Sequence, residues 1–183
     1  MKLIKTMTFT LALLSSPLAL AHAGVHLSHG FVEGLLHPLT GLDHLLMLLG
    51  VGAMGAWMVA QKRFALYAGA IISLLGGALL GLATGWGAGV EEMILLSLFV
   101  IAACLFFKRS NPVAMVAALM LVLFHGWAHG IEMPAGDVAA FLPGMLLMAT
   151  VLMAVGFMLG KLIQPKWLGA GSGVAAALIA ALG

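Results

Sequence analysis

Imidazole nitrogens and carboxylate oxygens that share one helix face have a chemistry in common, the binding of divalent metal ions. The segment Phe124-His125-Gly126-Trp127-Ala128-His129-Gly130-Ile131-Glu132 has this form. An α-helix turns about 100° per residue, so offsets of zero, four and seven place His125, His129 and Glu132 on one narrow face. Two imidazoles and a carboxylate there make a ligand set for nickel, cobalt, copper(II) or zinc, and no neighbouring thiolate favours copper(I) or an iron–sulfur cluster. A second group is His37-Pro38-Leu39-Thr40-Gly41-Leu42-Asp43-His44. Proline is tolerated at the first position of a helix, so a helix is expected to begin at His37 or Pro38 and to carry Asp43 and His44 about two turns, roughly 10 Å, inward. A third group lies near the start of the chain, at His26 and His29, with Glu33 close by.

The elements that must position these residues are apolar. Hydrophobic residues make up 63% of the 183-residue chain, charged residues only 8%, and the mean hydropathy is +1.19. A soluble domain carries roughly 25% charged residues. With a formal net charge of +2 and its charges scattered in short clusters, the chain has no basic surface for nucleic acid. Apolar stretches at Leu39 to Ala60, Phe64 to Thr84, Val90 to Phe107, Pro112 to Ala128, Val138 to Gly160 and Trp167 to Leu182 are each near the ~20 residues that cross a bilayer. The expectation is an all-α membrane protein, a bundle of six transmembrane helices. Alternating eight-to-ten-residue patterns, the mark of a membrane β-barrel, are absent.

Lys2 and Lys5, the apolar run Met7 to Leu14 and the sequence Ala21-His22-Ala23 have the form of a cleaved signal peptide over residues 1–23, leaving residues 24–183 as one membrane domain. Cleavage there would expose Gly24-Val25-His26, whose amine, amide nitrogens and imidazole can wrap nickel(II) or copper(II) in a square plane. Lys62 and Arg63, Lys108 and Arg109, and Lys161 and Lys166 fall in alternate loops, which the positive-inside rule assigns to the cytoplasm. Glu33, Asp43, Glu91, Glu92, Glu132 and Asp137 fall near the opposite ends. Both termini are therefore expected outside, and both histidine groups in the outer third of the membrane, where ionisable residues are costly unless they face a polar interior. Gly77, Gly81, Gly85 and Gly89, and Gly126 with Gly130, are spaced for close helix packing. Cys104 and the scattered methionines read as packing residues, and Trp57, Trp86, Trp127 and Trp167 as interfacial anchors.

At these motifs the sequence resembles the HupE/UreJ family of bacterial nickel and cobalt permeases. One signature of that family is a histidine, five residues and then Asp-His, met here by His37 and Asp43-His44; the other is Phe-His-Gly-x-Ala/Val-His-Gly-x-Glu, met by the segment from Phe124 to Glu132. The resemblance implies secondary uptake of nickel or cobalt across the inner membrane for enzymes such as hydrogenase or urease. It implies metal handling by His37, Asp43, His44, His125, His129 and Glu132, with the transported ion as bound ligand and no permanent cofactor. No Walker loop is present for ATP hydrolysis. The same ligands leave three other readings open: an intramembrane zinc hydrolase, a haem protein with axial histidines, and a structural subunit.

Overall fold

The computed structural model describes residues 30–109, 111–133 and 138–182. Among them every regular element is helical: α1 (Phe31–Thr40), α2 (Leu42–Met54) with a 3-10 turn at Gly55–Trp57, α3 (Ala60–Thr84), α4 (Val90–Phe106), α5 (Pro112–Glu132), α6 (Val138–Leu162) and α7 (Pro165–Leu182). Four of these, α3, α5, α6 and α7, are long and apolar enough to cross a membrane, and α1 with α2 makes a fifth if the bent pair is one span. At 17 residues α4 is at the short end of the spanning range. The signal peptide expected over residues 1–23, with His26 and His29, lies outside the described residues.

The first span departs from the expected continuous helix beginning at His37 or Pro38. The chain is already helical at Phe31, Pro38 lies inside the last turn of α1, and α2 leaves at 86° after Gly41. Proline withholds a backbone donor, and Gly41 adopts an extended conformation (φ −94°, ψ 118°) that stops the helix. His37 therefore closes one helix while Asp43 and His44 open the next.

Glycines set how closely the helices approach. Gly77 and Gly81 of α3 face the α5 backbone at Leu123 and Trp127; Gly126 and Gly130 of α5 face the α3 backbone at Leu74 and Ala78. A Cβ at any of the four would collide with a carbonyl oxygen of the partner. The same reciprocity joins α6 to the bent pair α1–α2, with Gly144 against Phe31, Gly34 against Phe141, Gly156 against Leu49 and Gly52 against Met153. Gly85 and Gly89 do not share this role: at φ 61° and 82° they are left-handed turn residues between α3 and α4, with open space where a Cβ would stand.

Met47, Met54, Leu66, Leu74, Leu105, Met145 and Met153 fill the centre of the bundle, and Cys104 is buried among them as a packing residue. Phe64, Ile72, Val113 and Leu162 point outward, an apolar exterior suited to lipid. Asn111 caps α5 by accepting a 2.9 Å hydrogen bond from the Ala114 amide, with Pro112 in the first turn. Arg63 and Lys161 both lie over the Phe157 ring, at 4.9 and 5.5 Å, which gathers basic residues from two connections at one end of the bundle. The histidines sit at the other end.

Gly77→Ala is expected to push α3 from α5 and to destabilise the detergent-solubilised protein by about 1–3 kcal/mol. Gly76→Ala, where nothing lies within 4 Å of the added carbon, is expected to be neutral or mildly stabilising. Thermal unfolding of the two variants against the parent checks this.

Candidate metal centre

Each His-Gly pair in α5 has a division of labour. Gly126 and Gly130 take the side of α5 that lies on α3, so His125 and His129, one residue earlier, turn into the bundle, where they are 0% and 2% exposed. On the opposite side the break at Gly41 brings His37 from the end of α1 and His44 from the start of α2 towards them. Gly41 also makes room for the motif itself, because a Cβ there would stand 2.7 Å from Asp43 Oδ1 and 2.8 Å from His44 Nδ1.

The two sequence groups thus meet in space, as two mixed sets rather than the single-helix set expected of His125, His129 and Glu132. One set is His37, His129 and Glu132; the other is Asp43, His44 and His125; within each set one ligand atom per residue lies within 4.8 Å of the others. An ion with bonds of about 2.1 Å holds its ligands roughly 3–4 Å apart, so each set needs only a small contraction to close on a metal. Helix rotation explains the regrouping. His125 and His129 are a full turn apart along α5, about 6 Å, so each finds its partners on the facing bent pair α1–α2 before it reaches the other.

The imidazoles form a continuous row. Ring centroids are 4.6 Å apart for His37 and His129, 4.3 Å for His129 and His44, and 4.8 Å for His44 and His125. Exposure is concentrated at one end: the Glu132 and His37 side chains are 53% and 26% exposed, with Glu132 Oε2 3.5 Å from His37 Nε2, whereas His129, His44 and His125 are buried. Phe141 of α6 packs edge-on against His37 at 5.3 Å and walls this end of the row with an apolar ring.

Hydrogen bonds leave specific nitrogens bare. Asp43 Oδ1 accepts from His44 Nδ1 at 2.9 Å, which leaves the lone pair on His44 Nε2. His44 Nε2, His125 Nδ1 and His129 Nδ1 are all buried with no hydrogen-bond partner. An unsatisfied buried polar atom costs about 1–3 kcal/mol, and three such nitrogens on neighbouring rings are candidates for an electron-pair acceptor such as a metal ion.

Two features escaped the sequence reading. Ser97 of α4, fully buried, bonds His125 Nε2 at 2.7 Å; a lone serine in a leucine-rich run carries no periodic signal. Glu91 and Glu92, read only as outer-end acids, line with Asp43, Ile94 and Leu95 a cavity of about 360 Å³ that reaches the second set from the side. Trp127 and Trp86 stand at this end of the bundle, joined by a 2.8 Å bond from Trp127 Nε1 to the Trp86 carbonyl.

Apolar helices that hold histidines and carboxylates together at one end define a class, the multi-pass membrane protein with a candidate divalent-metal centre. The chain belongs to the HupE/UreJ family: the family model described as HupE / UreJ protein matches residues 10–183. It is similar to Protein HupE of Rhizobium leguminosarum bv. viciae, 33% identical over 159 residues that cover 85% of this chain and 83% of that protein. No solved structure gives a significant match.

Gly41→Ala, which displaces the Asp43–His44 pair without replacing a candidate ligand, is expected to leave helix content intact and to weaken cobalt(II) binding about 10–100-fold in titration calorimetry.

Proposed function

We propose that this protein is a secondary permease that carries nickel or cobalt inward across the bacterial inner membrane, supplying metalloenzymes such as hydrogenase or urease. The observation that carries this reading is the row of four imidazoles with three buried, bare nitrogens, flanked by a carboxylate at each end. Nitrogen and oxygen donors of this kind suit borderline divalent ions. The family adds weight to transport over the hydrolase alternative.

In this reading the membrane domain has six spans, counting α1 with α2 as one broken span and α4 as a short one. Both termini are periplasmic after removal of residues 1–23, and the basic ends at Lys62 and Arg63, Lys108 and Arg109, and Lys161 and Lys166 are cytoplasmic. A broken helix at an ion site is a recurring device of transporters, because the interruption frees backbone and side chains to face a cavity.

The ion is captured outside, with His26 and His29 of the mature terminus assisting, and enters the set His37, His129 and Glu132. Imidazole nitrogens and the carboxylate replace part of its water shell. It then passes to Asp43, His44 and His125. His129 and His44, in ring contact, belong to different sets, so the ion exchanges one imidazole for the next and is never without a ligand. Two dications in such close sets repel strongly, so occupancy alternates and each arrival assists the departure ahead of it. A membrane potential of 100 mV supplies about 4.6 kcal/mol to an inward-moving dication.

Nickel and cobalt uptake by proteoliposomes tests the proposal. Saturable uptake with about one ion bound per chain is expected for the parent, and His129→Ala and Asp43→Ala are expected to abolish it while the protein still inserts. Glu132→Gln, at the exposed end, is expected to lower apparent affinity more than maximal rate. Uptake unchanged in both alanine variants would overturn the assigned path.

A further inference from the structure

Resting on the metal-site reading above, we propose that Ser97 is a positioning residue that fixes the tautomer and ring orientation of His125, so that His125 presents Nδ1 to the metal ion while His44 presents Nε2.

Ser97 is fully buried in α4, and its Oγ lies 2.5 Å from the Ile94 carbonyl oxygen and 2.7 Å from His125 Nε2. A hydroxyl has one hydrogen to donate, and a carbonyl can only accept. With that hydrogen given to Ile94, the serine oxygen must accept from His125, which requires the imidazole proton on Nε2. A neutral imidazole carries one such proton, so Nδ1 is bare, in agreement with its lack of any partner in the bundle. The opposite arrangement, with the serine hydrogen on Nε2, makes one bond where this one makes two. It also turns Nδ1–H into a buried donor with nothing to receive it.

The same bond blocks a ring flip, which would exchange Nε2 for a carbon and leave Ser97 without its donor. His44 is held in the opposite sense, because Asp43 takes its Nδ1. The two rings stand at 88° to each other, and both residues belong to the same three-residue set. Nδ1 lies next to the ring's attachment to Cβ, so an ion held there sits close to the α5 backbone. This restricts how far the ligand atom can follow the ion, and helps to define the size of the site. The device is the familiar one of a hydrogen-bonded partner that orients a metal-binding histidine, with a serine from a third helix in place of the usual carboxylate or carbonyl.

Nitrogen-15 spectra of histidine-labelled, metal-free protein in detergent distinguish protonated from bare ring nitrogens, with the His125 signals assigned by their loss in His125→Asn. The expected parent spectrum has His125 protonated at Nε2 and bare at Nδ1. Ser97→Ala is expected to mix the two tautomers and to weaken nickel binding about 10–100-fold with no loss of thermal stability that would account for it. Ser97→Thr, which keeps the oxygen, is expected to restore the parent tautomer and most of the affinity. A parent His125 protonated at Nδ1, or a Ser97→Ala protein with the parent tautomer and affinity, would overturn the proposal. Failure of the parent to bind nickel would contradict the metal-site reading instead, and the metal-free spectra decide the role of Ser97 in either case.

Discussion

Inside a membrane bundle water is scarce, so each buried ring nitrogen must find a protein partner, an ion or a trapped water, or remain unsatisfied at a cost of about 1–3 kcal/mol. Four rings in contact multiply that constraint. The arrangement meets it partly with its own residues, as Asp43 takes one nitrogen of His44 and Ser97 one of His125, and leaves three ring nitrogens without a protein partner. Three other features of this end of the bundle hold those rings in place: the bend between α1 and α2, the glycine contact between α3 and α5, and the aromatic wall at Phe141.

Glycine is the means by which backbone and side-chain demands are reconciled. Gly126 and Gly130 bring α5 against α3 and so fix which way His125 and His129 point. Gly41 does two things at once, ending α1 and leaving space over which Asp43 and His44 can pair. The spacing of the two histidine motifs therefore serves helix packing as well as the grouping of the imidazoles. Residues between the histidines carry the contact that aims them.

Much of this was legible in the sequence for reasons that can be named. Long unbroken apolar runs give helices because a helix satisfies its own backbone in lipid, and α3 to α7 lie where the hydropathy places them, with ends shifted by a few residues. The proximity of His37, Asp43 and His44 to His125, His129 and Glu132 followed from topology, since both groups fall at the same end of alternating helices. The break at Gly41 did not follow: proline is at home in a first turn, and Pro38 gives no sign by itself that it stands in a last one. Nor did the exchange of partners between the two histidine groups, which depends on how α5 is rotated against the broken span. Ser97 was invisible because its importance comes from a residue 28 positions away. Gly85 and Gly89 show the reverse error, in which a four-residue spacing that signals packing in Gly77 and Gly81 continues by coincidence into a turn.

The central claim is that the imidazole row is where the ion binds, and diffraction from crystals grown with nickel or cobalt, recorded at the absorption edge of the metal, tests it most directly. The account predicts the strongest anomalous peak among His37, Asp43, His44, His125, His129 and Glu132, within bonding distance of at least two of the nitrogens now bare. A strongest peak elsewhere on the protein, with that cluster empty and its hydrogen bonds unchanged, would contradict it.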